Sequence, residues 1–303
     1  MKKILITGAG SYLGNSVEQY LFEYQAEQRG MQWETDRISL RGDAWKKVSF
    51  AGYDTILHMA GIAHADIGKV SDEMKAMYYH VNCDLAEQTA QKAKAEGVRQ
   101  FIYMSSVIVY GDSAPVGKQK HITAEMRPSP ANFYGDSKYQ AEQKLQKLQT
   151  EEFHVAIVRA PMIYGKGSKG NFPVLMKMAE KTPVFPDIQN LRSMLYIENL
   201  AEFIRQLTES GKGGIFFPQN KEYVTTAEMV RLIGEASGRR IRLWKVLNPF
   251  LKLAAAMPGK IGGMANKAFG SLTIDMELSN REITGYQIFS LEESICKIIN
   301  GNG

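Results

Sequence analysis

Sulfur chemistry is nearly absent. The 303-residue chain has two cysteines, Cys83 and Cys296, far apart and outside any C-x-x-C pair. That excludes a disulfide framework and a thiolate zinc site, and it fits a reducing compartment. A cytoplasmic location and no metal are expected. Long apolar runs are missing too, since nothing approaches the ~18 apolar residues of a membrane-spanning helix. After Met1-Lys2-Lys3 only three apolar residues precede Thr7 and Gly8, too few for the core of a secretory signal. A strong charge of one sign is also lacking. With 37 Lys and Arg against 32 Asp and Glu, the net charge is +5. No basic block suggests a nucleic-acid surface, but a mild positive balance suits a small anionic substrate such as a nucleotide. There is no internal repeat and no low-complexity tract.

What is present is alternation. Short apolar segments at Lys3–Thr7, Asp36–Leu40, Tyr53–Met59, Gln100–Met104 and Val155–Val158 read as strands. Between them, Leu13–Gln28, Asp84–Glu96 and Tyr134–Thr150 read as helices. Strands alternating with helices predict an α/β, doubly wound parallel sheet, that is, a Rossmann fold. Leu40-Arg41-Gly42-Asp43 leaves little room for a third strand before Tyr53. The pattern loosens after Arg159, with a turn-rich loop from Gly165 to Gly170 and prolines at 173, 183 and 186. Residues 1–165 are therefore expected as a dinucleotide-binding domain, rejoined by about 190–215, and 166–303 mostly as a smaller substrate-binding lobe. Thr225-x-x-Glu228 is a capping box, opening a helix that should stop near Gly238. Leu243–Phe269 is apolar and dotted with lysines. A lobe-packing helix is the expectation there, with a membrane-surface helix as the alternative; stable insertion is not expected.

Three stretches carry chemistry. Thr7-Gly8-Ala9-Gly10-Ser11-Tyr12-Leu13-Gly14 lies between the first strand and first helix, where glycines admit a pyrophosphate to the backbone and the helix N-terminus favours its charge. Ser105 and Ser106 stand at the carboxyl end of a strand, where ligands of parallel sheets bind. Tyr134 and Lys138 are one helical turn apart on one face. With 14 Tyr in the chain, about one such spacing arises by chance. Chemistry nevertheless has a use for the pair. A free phenol ionises near pH 10, and a cation within reach lowers that by roughly 1–3 units, into the range of a working base.

In order along the chain, the segments resemble the extended short-chain dehydrogenase/reductase family, in its nucleotide-sugar epimerase branch. Thr7 to Gly14 resembles the T-G-x-x-G-x-x-G turn, and His58-Met59-Ala60-Gly61 the H-x-A-A/G strand end. Val81-Asn82, Ser105-Ser106-Val107-Ile108-Val109-Tyr110-Gly111 and Tyr134-Gly135-Asp136-Ser137-Lys138 resemble the V-N, S-S-x-x-V-Y-G and Y-G-x-S-K motifs. Arg159–Gly165 and Arg192–Ala201 follow the family's later blocks.

The resemblance implies Ser106, Tyr134 and Lys138 as catalytic residues. It implies Gly8, Ser11, Tyr12, Leu13, Gly14, Arg41, Met59, Ala60, Gly61 and Asn82, with Tyr134 and Lys138, as the cofactor site. Ser105, Ser106, Asn171, Phe185 and Arg192 would meet the substrate, with Arg192 on its diphosphate. Asn171 as a helix cap and Phe185 as core are the plainer readings. The expected activity is 4-epimerisation of a nucleotide-activated hexose of the UDP-glucose/UDP-galactose type, with NAD as cofactor. An NADPH-dependent keto-sugar reductase is the alternative, and a non-catalytic dinucleotide-binding regulator a third reading. The family's dimers pair through helices equivalent to 84–96 and 134–150, so a homodimer is expected.

Four departures qualify this. Ser11 replaces the middle glycine. Arg41 stands where the family places an acid for the adenosine ribose, and would accept the 2′-phosphate of NADP instead; Glu34 and Asp36 are the rival acids. Met162 replaces an asparagine. Val107-Ile108 replaces the Asp-Glu pair of the family's 4,6-dehydratases, which argues against elimination of water.

Overall fold

The computed structural model describes residues 1–27, 32–63 and 70–301. The first half runs β1 (Lys2–Thr7), α1 (Tyr12–Glu27), β2 (Trp33–Ile38), β3 (Thr55–His58), α2 (Asp72–Tyr79), α3 (Leu85–Ala95), β4 (Gln100–Ser106), β5 (His121–Ile122), α4 (Phe133–Gln146) and β6 (His154–Ala160). It continues through β7 (Met162–Tyr164), α5 (Phe172–Lys181), β8 (Val184–Pro186), β9 (Met194–Tyr196), α6 (Ile197–Ser210) and β10 (Gly214–Phe216). The rest is α7 (Thr226–Ala236), β11 (Arg242–Trp244), α8 (Asn248–Ala256), α9 (Lys260–Phe269), β12 (Thr273–Ile274), α10 (Met276–Asn280) and α11 (Leu291–Asn300).

Six strands form one parallel sheet in the order β10-β6-β4-β3-β1-β2. The chain leaves β1 toward β2 and returns on the other side at β3. The crevice outside the carboxyl ends of β1 and β3 is thus the switch point where such sheets bind ligands. Alternate side chains feed two cores. Ile4 and Ile6 join Val17 and Leu21 of α1 and Leu200 and Ile204 of α6 on one face. Leu5, Ile56 and Phe101 join Ala86 and Ala90 of α3 and Leu145 of α4 on the other. Both faces are covered, as a parallel sheet requires.

Residues 39–54 hold one 3₁₀ turn, Ala44–Lys47, and no strand. The second strand lies earlier than expected, ending at Ile38 rather than Leu40. Gln28, the expected end of α1, lies outside the described residues. β10 completes the sheet only after the chain has made a long excursion. Lys2 Nζ donates to the carbonyls of Thr208 (2.6 Å) and Glu209 (2.9 Å), binding β1 to the end of α6. Thr225 caps α7 through the Glu228 amide at 2.9 Å, and the helix stops at Ala236 before Gly238. The stretch 243–269 is not one helix. Met257-Pro258-Gly259 breaks it, with Gly259 at φ +76°, so α8 and α9 form a hairpin.

Candidate active site

The turn after β1 is shaped by close approach. Gly8 has φ +82°, and a Cβ there would lie 2.8 Å from the Ala60 nitrogen. The amides of Gly8 and Ala9 both donate to the Ile38 carbonyl, at 3.0 and 3.2 Å. Ser11 does what a glycine could not, since its hydroxyl accepts the Gly14 amide at 3.1 Å. Gly14 in turn lets α1 rest on Ile6 and Met59. The start of α1 therefore lies at the switch point, where a helix N-terminus favours an anion. Tyr12 and Leu13 form its first turn. Tyr12 reaches Gly165, where a Cβ would come within 2.6 Å of the phenol oxygen. That oxygen is buried with no partner among the described residues. Burial, then Glu198, push its pKa up to about 12.

The end of β3 forms the opposite wall. The Ile62 amide donates to Asn82 Oδ1 at 2.8 Å, and Asn82 Nδ2 bonds the Ile62 carbonyl and Ser137 Oγ, both at 3.1 Å. Asn82 lies in a π-helical stretch, His80–Asp84, of the kind that often marks functional sites. Gly61 passes so close to Asn82 Oδ1 and Lys138 Nζ that a Cβ would be 3.2 Å from each. His58, beneath, is buried; burial and then Lys138 push its pKa down to about 3, so it is neutral. The glycine-lined turn, the open helix end and the orphaned Tyr12 hydroxyl suit a dinucleotide lying from β2 across to Lys138.

Ser106, Tyr134 and Lys138 are brought together. Ser106 ends β4 and caps the 3₁₀ turn Val107–Tyr110 by accepting the Ile108 amide at 3.3 Å. The same hydroxyl lowers the Tyr134 pKa and so favours the phenolate. Tyr134 is fixed by the start of α4, where Asn132 accepts the Gly135 amide at 3.0 Å, and by the Tyr78 ring, edge-on at 6.0 Å. Lys138 does not turn its ammonium to the Tyr134 hydroxyl. It donates to the Met104 carbonyl at 2.8 Å, 4.7 Å above the Tyr103 ring. Burial pushes its pKa down to about 8, against the pull of Glu142. The expected lowering of the tyrosine's pKa is thus not achieved by the protein alone. Burial and Tyr78 hold Tyr134 up at about 12, with Ser106 in opposition. A phenolate at neutral pH needs one more positive charge over the site.

The remaining expectations divide. Ser105 faces away from Ser106, as strand alternation requires. Its hydroxyl donates to Glu142, which also takes a bidentate Arg159, Nη2 on Oε2 at 2.6 Å and Nε on Oε1 at 3.2 Å. Ser105 therefore joins a buried ion pair in this structure. Nothing in the motifs pointed to that pair, although Lys138 and Glu142 share the i, i+4 spacing. Arg192 lines a small pocket of about 10 Å³ with Met162, Met194 and Thr226. Its guanidinium donates to the carbonyls of Lys267 (3.2 Å) and Ala268 (3.0 Å). Burial lowers its pKa. Asn171 stands at the N-cap of α5 without a side-chain cap bond. Phe185 is buried, its ring tilted against that of Phe269 with centroids 5.7 Å apart, so it lies in the core in this structure. Arg41 is exposed beyond β2. The rival acids are engaged elsewhere, Glu34 with Lys3 at 2.9 Å and Asp36 with the Tyr53 hydroxyl at 2.7 Å.

A family model described as the NAD dependent epimerase/dehydratase family matches residues 4–217. The chain belongs to this family. It is an enzyme of the extended short-chain dehydrogenase/reductase type, and its cofactor is a nicotinamide dinucleotide. The chain is 27% identical to a UDP-glucose 4-epimerase of Vibrio cholerae, over 94% of this chain and 90% of the relative. It is 32% identical to an N-acetyl-alpha-D-glucosaminyl-diphospho-ditrans,octacis-undecaprenol 4-epimerase of Escherichia coli O157:H7, over 52% of this chain and 46% of that one. A UDP-glucuronic acid 4-epimerase from Bacillus cereus, solved with NAD, superposes with TM-score 0.71 at 18% identity, covering 98% of this chain and 96% of the other. A dTDP-4-dehydrorhamnose reductase from Bacillus anthracis, solved with NADP, gives 0.69 at 18%, covering all of both chains. At such identities the two structures establish the fold, which epimerases and reductases share.

Proposed function

We propose that the enzyme interconverts C4 epimers of a nucleotide-activated hexose of the UDP-glucose/UDP-galactose kind. One observation carries this reading: a Ser106–Tyr134 hydroxyl pair beside Lys138, followed by the apolar Val107-Ile108 and not by an acid able to eliminate water. Tyr134 Oη takes the proton of the sugar 4-hydroxyl, and Ser106 holds that hydroxyl in place. Lys138, anchored on the Met104 carbonyl, presents its charge to the cofactor's ribose. NAD, when bound, supplies the acceptor and later the donor of the C4 hydride, and its oxidised ring supplies the charge that Tyr134 lacks. The keto-sugar turns over, and Tyr134 returns its proton to the oxygen of the new epimer. Arg192 grips the diphosphate, exchanging backbone carbonyls for a dianion.

A second reading, an NADPH-dependent keto-sugar reductase, is favoured by the end of β2. No acid stands there, and Arg41 is exposed and free of ion pairs among the described residues. Denaturing the purified protein and identifying the released nucleotide separates the two. Stoichiometric NAD, with turnover of UDP-glucose to UDP-galactose, supports the epimerase. A protein that arrives empty and binds NADPH over NADH supports the reductase. In either case Tyr134→Phe should lower turnover by about 10²–10⁴-fold while cofactor binding persists; near-normal turnover would remove Tyr134 from the mechanism.

A further inference from the structure

The α8–α9 hairpin, with the segment from Arg239 that leads into it, carries an unusual charge; three of its cations, Lys252, Lys260 and Lys267, lie on the hairpin itself. Between Ala236 and Ile274 there are seven Lys and Arg residues, from Arg239 to Lys267, and no Asp or Glu. That exceeds the net +5 of the whole chain. All seven are exposed, and among the described residues none is in an ion pair. Elsewhere exposed cations do find partners, as Lys144 does with Glu87 and Lys212 with Glu282.

The same segment exposes apolar side chains. Phe250 and Leu253 fall at i and i+3 on α8 and are each 68% exposed, and Met257, just past the end of the helix, is 45% exposed. Ile261 and Met264 continue the face on α9, at 53% and 71%. Trp244 and Val246 precede it, both exposed. The other sides of these helices are well anchored. Leu251 and Phe269 pack on the main core. Gly262 meets the Met257 carbonyl so closely that a Cβ would lie 1.9 Å from it. Asn266 ties the Ala255 carbonyl (3.0 Å) to the Val116 amide (2.9 Å). The stripe therefore faces outward on a fixed scaffold.

We infer that this hairpin docks the enzyme peripherally on an anionic lipid bilayer. Apolar side chains at the acyl boundary, ringed by cations on headgroup phosphates, are the requirements of an interfacial helix. Neither helix is long enough to cross a membrane, and none of the described helices is. A second copy is a poor occupant, because it would bring seven more cations against these seven.

The test uses the full chain with vesicles of phosphatidylcholine, with and without phosphatidylglycerol. Trp33 and Trp45 are 6% and 2% exposed and Trp244 45%, so a blue shift of tryptophan emission reports Trp244 entering the bilayer. Binding and a blue shift are expected only with phosphatidylglycerol, and both should fade at high salt. Phe250→Glu/Leu253→Glu/Met264→Glu should weaken partitioning at least about tenfold, with turnover of soluble substrate and the thermal transition retained. Lys252→Glu/Lys260→Glu should remove the preference for phosphatidylglycerol, and it decides the matter if the triple variant does not fold. The proposal is overturned by failure to bind anionic vesicles, as would be seen if an acidic protein covers this face. It is equally overturned by binding that survives the triple variant, or by a triple variant that only converts an oligomer to monomer.

Discussion

Two arginines, Arg159 in the sheet and Arg192 in the lobe, are both drawn into the protein and are completed differently. Burial works against the charge of Arg159, but Glu142 and Tyr110 more than offset it and hold its pKa up. Arg192 has backbone carbonyls for company and no carboxylate among the described residues, and burial pulls its pKa down. A guanidinium with its counter-charge built in is part of the frame. One without it is short of an anion, and the lobe can offer that place to a ligand.

The sharpest way to break this comparison is to remove the counter-charge from Arg159. Glu142→Gln leaves a buried cation unpaired and should cost about 3–5 kcal/mol of stability, read by denaturant unfolding. A loss no larger than that of a surface ion pair would erase the distinction. Arg192→Ala should do the reverse, leaving the ligand-free thermal transition unchanged or raised. The Michaelis constant should rise about 10–100-fold, as expected for loss of a charge-assisted bond of roughly 1.5–3 kcal/mol. An unchanged constant would take Arg192 off the diphosphate.

His58 extends the rule to a group that stays uncharged, since its ring nitrogen meets the Thr7 hydroxyl at 3.1 Å and no carboxylate pairs with it among the described residues. Its pKa of about 3 in the folded state lies below the ~6.5 of an unfolded histidine. Between these values the unfolded chain binds a proton that the folded one refuses. Stability is therefore full above pH 6.5 and falls by ~1.4 kcal/mol per pH unit as the pH drops toward 3. In His58→Gln, pH-dependent unfolding should show a slope smaller by that amount. The smallest effect is expected at Arg41, which is solvated. Arg41→Ala should weaken NADPH binding a few-fold at most, about 0.2–1 kcal/mol, relative to NADH. No change in that ratio would remove the argument for the reductase.

Much of this was legible in the sequence. The central strands are buried on both faces and so read as apolar runs. β2 did not, because it is an edge strand in which Trp33 and Ile38 are buried and Glu34 to Arg37 are not. Apolar content therefore pulled the expected strand toward Leu40. The shared face of Tyr134 and Lys138 followed from helical spacing, and the place of Ser106 beside them from the family resemblance. The destination of the lysine did not, because its partner is a backbone carbonyl, which carries no residue-type signature. That Ser105 turns to Glu142 while Ser106 turns to the site had a sign in the sequence, since adjacent strand residues face opposite ways. The Glu142–Arg159 pair joins a helix to a strand and is announced by no motif. In the 243–269 segment, Pro258-Gly259 was the visible sign of two helices, but which faces stay uncovered depends on the packing of the lobe.

The bonds from Lys2 to the end of α6 bear on how the chain reaches its native state. The second residue cannot make its contacts with Thr208 and Glu209 until two-thirds of the chain has been synthesised. Gln100 likewise waits for the carbonyls of Leu207 and Lys212. The sheet itself is not complete before Phe216. The amino-terminal half therefore emerges with a strand edge at β6 unpaired and one core face bare of α6. Closing such distant contacts is slow. During that interval the exposed β6 edge is where a stalled or truncated chain would aggregate.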